Sequence, residues 1–382
     1  MLDSPDRTVV LVDSISKFEI GHYWQMSANF RRVFLESGIN FVFLNPSALD
    51  AKQEDSLTSQ QVKKSAYVTV PEGNRFFDKT LEYIHDFHTR NSGTELHIIF
   101  MWLPVVPVEH IEELLGISST KPFFISGITF SKSFSTGSMG YHFEEEFSQN
   151  ERCKKLWVWS DSFSTTPNLA DSKIRKLPEF HPSFPKAESG HAEYLGFFGK
   201  LNSARGLSDV CIAALFNPKV SVVIKGYGYQ GLRMWRSSSF SFLQYKTWTR
   251  NPFAAFLTLI VNIFFKLMLL LPNVNFDKLP FATQKELQTA IGNCTAVFYA
   301  AKLPYSSGIA LTSLATGTPV IWFGSSGEAV KQLEKGFPEG RISRSQLFIP
   351  GYLSNRIKKV KDSKPKEMFS WKQFKQEVLD SL

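Results

Sequence analysis

The stretch EYLGFFGKLNSARGLSDVCIAALFNPKVSVVIKG, from Glu193 to Gly226, decides the fold. It reads as a buried strand, a turn that starts at Gly199, an amphipathic helix and a second buried strand. Two cations, Lys200 and Arg205, lie five positions apart on the turn into the helix. Helix N-termini at the carboxyl ends of parallel strands favour anions, so the turn predicts a diphosphate site. On the local pattern alone, two solvated surface cations are the simpler alternative.

Apolar runs alternate with helical patterns along the whole chain, which predicts parallel sheets made of βαβ units. The first set of apolar runs begins with TVVLVDS and ends with IRKLPEF, and the second begins with EYLGFFG and ends with SQLFIP. We interpret each of these four runs as a strand. The Pro- and His-rich stretch PEFHPSFPKAESGH between the sets is typical of a linker. We predict α/β domains over 1–185 and 190–365, a basic and apolar insertion over 229–271, and a terminal helix over 366–382.

The positive charge of the chain is concentrated in one region. The 382 residues carry a net charge of +8, and no Asp or Glu occurs from Val210 to Phe276, where seven Lys and Arg fall. A local excess of positive charge predicts an anionic partner: nucleotide phosphates, a lipid surface or nucleic acid. The three cysteines lack metal-ligand spacing, and the N-terminus shows no secretory signal, so we expect reduced thiols and a cytoplasmic location.

The order of motifs after Gly199 resembles the C-terminal domain of GT-B glycosyltransferases of the family-4 type. That pattern is G-R-L-x-x-x-K-G, a helix and an apolar strand ending in G-x-G; here it reads GKLNSARG, a helix and VSVVIKGYG. The later stretch SSGIALTSLATGTPVIWFGSSGEAV also matches the family in order. The resemblance implies two Rossmann-like domains facing each other across a cleft, with the C-terminal helix crossing back to the N-terminal domain.

The resemblance also implies the parts of a donor site. Lys200 and Arg205 would bind the diphosphate of a nucleotide-sugar and stabilise charge on the leaving nucleotide. A predicted helix N-terminus at Ser306, Ser307 and Gly308 would turn backbone N–H groups toward the phosphate, although a serine there is equally well an ordinary N-cap. No D-x-D motif occurs in the chain, so we expect a metal-independent site without a cofactor.

The chain departs from the family on the donor side. Retaining family-4 enzymes carry two glutamates eight positions apart, and those positions hold Pro304 and Thr312 here. Thr312 could replace the ribose-binding glutamate only weakly. Glu328 matches another acidic position of the family, and its role is open.

The acceptor side offers a single candidate base. The pair Gly21–His22 precedes the first helix and resembles the loop of inverting GT-B enzymes, whose His deprotonates the acceptor hydroxyl. Asp13 is one candidate for the orienting acid. A capping or packing role for His22 is an equal alternative, so retention versus inversion stays open. Arg31 and Arg32, in the following helix, are expected to be solvated surface.

The oddest stretch is AAFLTLIVNIFFKLMLLL, over 254–271, which is apolar on nearly every side. It is slightly short for a membrane span and lies between strands of one predicted sheet. Cations interleaved with aromatic residues precede it over 233–250, a composition that suits an anionic membrane surface. One hypothesis is peripheral attachment to the inner face of the membrane through 233–271. The alternative is a helix buried by the insertion or by a partner chain.

These features predict a glycosyltransferase that moves a sugar from a nucleotide-sugar to a glycan or lipid-linked acceptor, in cell-surface polysaccharide or glycolipid synthesis. A sugar-nucleotide epimerase and a non-catalytic nucleotide-binding protein are the alternatives. No nucleic-acid-binding motif accompanies the basic segment, so no nucleic acid is expected as a partner. The G-x-G-x-x-G at Gly226, Gly228 and Gly231 is followed by neither an apolar-periodic helix nor a ribose-binding acid, which excludes an NAD site.

Overall fold

The computed structural model describes residues 7–15, 22–55, 65–73, 75–91, 94–116, 123–129, 150–158, 173–177, 180, 194–201, 206–227, 263, 266–277, 284–301, 307–324, 328–363 and 370–382. The chain divides into an N-terminal unit, Met1–Phe180 with Phe369–Leu382, and a C-terminal unit, His181–Met368. Each unit contains its own parallel sheet.

The sheet of the N-terminal unit has seven strands in the order β3-β2-β1-β4-β5-β6-β7. Its strands are β1 (Arg7–Val12), β2 (Asn40–Asn45), β3 (Ser65–Thr69), β4 (Glu95–Phe100), β5 (Phe123–Thr129), β6 (Cys153–Val158) and β7 (Ile174–Lys176). Its first four helices are α1 (His22–Ser37), α2 (Ala48–Glu54), α3 (Phe76–Arg90) and α4 (Val108–Gly116). The inner strands are buried at nearly every residue because helices cover both faces, so they read as continuous apolar runs.

The sheet of the C-terminal unit has five strands in the order β10-β9-β8-β11-β12. Its strands are β8 (Tyr194–Lys200), β9 (Ser221–Tyr227), β10 (Val274–Asp277), β11 (Ala296–Ala301) and β12 (Val320–Gly324). Its helices are α5 (Leu207–Phe216), α6 (Gln284–Gly292), α7 (Gly308–Thr316), α8 (Glu328–Gly336) and α9 (Tyr352–Val360). All described pairings are parallel, which confirms the predicted α/β class.

One predicted strand of this unit is wrong. The run SQLFIP lies mostly in a 3-10 helix, Arg344–Phe348, and forms no strand. A capping box at Ser343 starts that helix: Gln346 Oε1 accepts the Ser343 backbone N–H at 2.8 Å, and the serine side chain caps in return. Local capping therefore outweighs the β-propensity of the short apolar run.

The last helix, α10 (Trp371–Leu379), packs on the N-terminal unit, as the resemblance implies. Phe374 is fully buried there, with its ring 5.6 Å from that of Phe30 in α1. The Trp371 ring lies 4.8 Å from that of Phe180, and its indole N–H donates to Glu36 at 3.0 Å. The last helix therefore contributes side chains to the hydrophobic core of the N-terminal unit.

The stretch proposed for membrane attachment is described only at its end. Residues 228–262 lie outside the described residues, whereas 263 and 266–277 lie within them. Among the helices that the structure describes, none has the length and hydrophobicity needed to cross a membrane.

Candidate functional site

The sheet of the C-terminal unit changes direction between β8 and β11. From β8 the chain passes through α5 to β9 on one side, and from β11 it passes through α7 to β12 on the other. β8 pairs with β9 over its whole length, but its pairing with β11 covers only Leu195 and Gly196. The carboxyl halves of β8 and β11 therefore form the switch point of the sheet, where open α/β proteins bind ligands.

Gly199 shapes the carboxyl end of β8. Its φ is +100°, a conformation that side chains other than glycine rarely adopt, and a Cβ there would lie 3.4 Å from Ile309 Cγ1 of α7. Beside it on β9, a Cβ at Gly226 would lie 1.8 Å from the Gly199 carbonyl oxygen. The backbone at this end of β8 is thus in close contact with β9 and lies beside the first turn of α7.

The turn after β8 ends against β11. Gly206, which precedes α5 directly, has a φ of +96°, and a Cβ there would lie 2.4 Å from the Ala300 Cβ. The N-terminus of α5 therefore lies at the same carboxyl edge as Gly199. Lys200 is the last residue of β8, but its side chain is outside the described residues, and so is all of Arg205.

The N-terminus of α7 meets this edge too. Ser307 is its N-cap: the side-chain oxygen accepts the Ala310 backbone N–H at 3.4 Å, so the ordinary capping role is present. Gly308 is the first helical residue, and Ile309 beside it faces Gly199. The structure thus places the end of β8 beside the start of α7, whereas residues 202–205 of the turn and Ser306 lie outside the described residues. The joint phosphate site stays a prediction.

No carboxylate of α7 replaces the missing family glutamates, because Gly308–Thr316 contains no acidic residue. Thr312 is 3% exposed within that helix. Glu328 is the first residue of α8, and its side chain is outside the described residues. No group of three His, Cys, Asp or Glu side chains in the described part of the chain is placed to hold a metal ion.

The N-terminal unit has its own switch point, between β1 and β4. Asp13 follows β1 there and is 1% exposed; its Oδ1 accepts the Ile15 backbone N–H at 3.2 Å. The Asn45 side chain donates to the Asp13 carbonyl oxygen at 2.7 Å and fixes the end of the strand. His22 begins α1 at the same edge, but its side chain is outside the described residues, so the pairing of these two groups stays a prediction.

The sequence analysis missed the close contact between the ends of β8 and β9. Its signal is visible in hindsight: Gly199 and Gly226 occupy corresponding positions at the carboxyl ends of two consecutive strands. The absence of a side chain at 226 leaves the room that the Gly199 carbonyl oxygen occupies, and glycine at 199 permits the positive φ of that residue.

No protein-family model matches the sequence, and no curated protein sequence matches it. Solved structures match its fold. A sucrose-phosphate synthase from Thermosynechococcus elongatus has a TM-score of 0.60 at 12% identity, with 98% of each chain covered. The UDP-GlcNAc 2-epimerase from Methanocaldococcus jannaschii has a TM-score of 0.57 at 9% identity, with 98% of this chain and 99% of that chain covered.

A third similar structure is the pneumococcal O-GlcNAc transferase in complex with UDP and GlcNAc. Its TM-score is 0.55 at 10% identity, with 98% of this chain and 99% of that chain covered. Identities this low show the fold alone. The chain has the GT-B fold, as its motifs predict, and its activity has to be argued from the site.

Proposed function

We propose that this protein is a glycosyltransferase whose nucleotide-sugar donor binds at the carboxyl edge of β8 and β11. The convergence of the N-termini of α5 and α7 on that edge, where Ile309 faces Gly199, carries the proposal. Helix N-termini present backbone N–H groups and the positive ends of their dipoles to a diphosphate. Similar folds bind such ligands: one of the matching transferase structures is a complex with UDP and GlcNAc.

In this proposal each predicted residue has a defined role. Lys200 and Arg205 neutralise the charge that develops on the departing nucleoside diphosphate, a form of electrostatic catalysis. The backbone N–H groups of residues 306–308 bind the donor phosphate. Thr312 and Glu328 remain weaker candidates for contacts to the ribose or the sugar.

The acceptor would be bound by the N-terminal unit. There His22 removes the proton of the acceptor hydroxyl, and Asp13 orients the imidazole. We propose a glycan or a lipid-linked glycan as the acceptor, within cell-surface polysaccharide or glycolipid synthesis at the cytoplasmic face of the membrane.

Thermal unfolding with UDP-, GDP-, ADP- and TDP-linked sugars tests the donor site. We expect one nucleotide class to raise the Tm by about 5 °C at saturation. The double variant Lys200→Ala plus Arg205→Ala should lose that rise. The matched control is Lys52→Ala plus Arg75→Ala, two exposed cations of the N-terminal unit, which should keep it. An equal rise in both double variants would contradict the assignment of the diphosphate site.

An epimerase is the second candidate, because the fold also matches UDP-GlcNAc 2-epimerase at a TM-score of 0.57. Product analysis with donor alone separates the two activities: an epimerase converts the nucleotide-sugar without an acceptor, whereas a transferase leaves it intact or hydrolyses it slowly. Nucleotide binding without any turnover would identify a non-catalytic descendant, consistent with Pro304 and Thr312 in place of the family glutamates.

A further inference from the structure

One helical surface of the C-terminal unit exposes an unusual number of large apolar side chains. Leu267 and Leu270, just before β10, are 59% and 78% exposed. Six of the nine exposed large apolar residues in the described part of the chain occur in the segments that build this surface. We call it the apolar-basic face and define it by its apolar residues and two exposed lysines: Leu215, Ile263, Leu267, Leu270, Phe348, Ile349, Lys219 and Lys266.

The C-terminal end of α5 joins the segments of the apolar-basic face. On one side, the Asn273 side chain donates to the carbonyl oxygens of Ala214 and Val220, at 3.1 Å and 3.0 Å. On the other side, the Gly351 N–H donates to the Phe216 carbonyl oxygen at 3.3 Å. The ring of Phe216 also lies 5.7 Å from that of Phe348. Segments distant in sequence are thus held at the same end of α5.

The segment before β10 is apolar on both its inner and its outer side. Met268 and Leu269 are buried in the core of the unit, at 3% and 6% exposure. Leu267 and Leu270 point outward beside the exposed Lys266. A surface helix of a soluble α/β unit is polar on its outer side, so these outward leucines serve no purpose in the packing of the unit itself.

Two stretches of the sequence that include segments of this face are rich in cations. Residues 210–276 contain seven Lys and Arg and no acid, and residues 341–361 contain six and no acid. The intervening residues 277–340 carry five acids and five bases, a balance of zero. Among the described cations of these stretches, Lys225, Arg341 and Arg344 form ion pairs with acids outside them. Lys219 and Lys266 are exposed on the apolar-basic face itself.

We propose that the apolar-basic face docks onto an anionic lipid surface. The outward apolar side chains would enter the head-group region, and the lysines would remain at the level of the lipid phosphates. If the proposed function holds, docking would bring the enzyme to the membrane that contains its lipid-linked acceptor. Docking itself does not depend on transferase activity; only its biological role rests on the proposed function. The face lies at the C-terminal end of α5, whereas Gly206 and the donor site lie at the other end.

Binding of the full chain to vesicles tests this proposal. We expect binding to phosphatidylcholine vesicles that contain phosphatidylglycerol, weaker binding at high salt, and little binding to phosphatidylcholine alone. Leu267→Ser plus Leu270→Ser should lower the affinity for anionic vesicles at least about tenfold. The matched control is Leu49→Ser plus Val105→Ser in the N-terminal unit, where the exposures are 59% and 42%, and it should bind like the wild type.

The charge contribution has its own pair of variants. Lys219→Glu plus Lys266→Glu should weaken binding to anionic vesicles and reduce its salt dependence, whereas Lys52→Glu on the other unit should not. Unchanged binding in the leucine and lysine variants would overturn the proposal. It would also be overturned if the wild type self-associates and the leucine variant restores the monomer without affecting vesicle binding, because a second copy then occupies the face.

Hydrogen exchange on the wild type needs no variant. Anionic vesicles should slow exchange at residues 215–219, 266–271 and 346–350, and slowing confined to the N-terminal unit would overturn the proposal. The nucleotide-induced rise in Tm is measured without vesicles, so it tests nucleotide binding separately from membrane docking. Leucine variants that lose vesicle binding but keep that rise support docking, and vesicle binding by a chain that binds no nucleotide leaves docking standing while the transferase proposal fails.

Discussion

Arg31 and Asp55 form a buried bidentate ion pair in the N-terminal unit. Nε lies 2.6 Å from Oδ2 and Nη2 lies 3.2 Å from Oδ1, and the two side chains are 0% and 8% exposed. The guanidinium also lies over the Phe43 ring, at 4.6 Å from its centroid, and the carboxylate accepts the Tyr67 hydroxyl. The pair therefore connects α1, the end of α2 and β3. The expectation that Arg31 is solvated surface is wrong.

Replacing Arg31 by Met should destabilise the N-terminal unit by about 3–5 kcal/mol, because Asp55 would be left as a buried charge without its main partner. Urea unfolding of the full chain, followed through the transition of the N-terminal unit, measures the loss of unfolding free energy. The control is Arg90→Met, since Arg90 is 76% exposed and forms an ion pair with Asp86 four residues earlier. That control should cost less than about 0.5 kcal/mol. Equal losses would show that the buried pair contributes no more than a surface pair.

Gly226→Ala should damage the donor site and the sheet together. Its Cβ would lie 1.8 Å from the Gly199 carbonyl oxygen, so the ends of β8 and β9 would have to move apart. We expect a loss of about 3 kcal/mol or more in unfolding free energy, and loss of the nucleotide-induced rise in Tm. Gly116→Ala, where a Cβ would meet nothing within 4 Å, should be neutral or slightly stabilising. A stable Gly226→Ala variant that binds nucleotide normally would contradict the close contact.

Phe374→Ala tests the packing of the last helix on the N-terminal unit. The side chain is fully buried against Phe30 and Phe180, so its loss should leave a cavity that costs about 3–5 kcal/mol. Phe348→Ala is the control, because that ring is 49% exposed and should cost about 1 kcal/mol or less. If both variants unfold at the same urea concentration, α10 does not contribute to the core as the structure indicates.

The buried parallel strands could be predicted from the sequence because both of their faces are covered. β1, β2, β8 and β9 each appear as an apolar run without alternation. β3 was missed: it is a half-exposed edge strand of five residues, and its pattern SAYVT does not stand out from a loop. Because an edge strand is only partly buried, β3 lacks the continuous apolar run from which the other strands could be predicted.

The candidate site was predictable in its parts but not in its contacts. The turn at Gly199 and the helix start at Ser307 are visible in the sequence, because glycine and an N-cap serine act locally. The meeting of Ile309 with Gly199 depends on the packing of α7 against the sheet, which no local pattern encodes. For the same reason the burial of Arg31 was missed, since its partner Asp55 lies 24 positions away.

The three cysteines should be unreactive in the folded protein. Burial raises the pKa of Cys153, Cys211 and Cys294 to about 12, so very little thiolate is present near neutral pH. Titration with a thiol-specific dye at about pH 8 should detect no thiol in the native chain within minutes and all three after unfolding in urea. Ser345→Cys, at an exposed position, should add one rapidly reacting thiol and shows that the dye reaches the folded protein. A fast native thiol in the wild type would mean that one of the three sites opens readily.

Acid should destabilise the N-terminal unit through His97. This residue of β4 is fully buried, and its Nε2 lies 2.8 Å from Ser126 Oγ. Burial lowers its pKa from 6.5 to about 3, with nearby Arg7 and Lys154 acting in the same direction. The unfolded chain therefore binds the proton more readily, and stability decreases as the pH falls from about 6.5 toward 3. Between about pH 7 and pH 5 the wild type should lose about 2 kcal/mol more than His97→Gln, which has no imidazole to protonate. Urea unfolding of both chains at constant ionic strength measures the difference, and parallel pH profiles would show that the imidazole is protonated without cost in the folded chain.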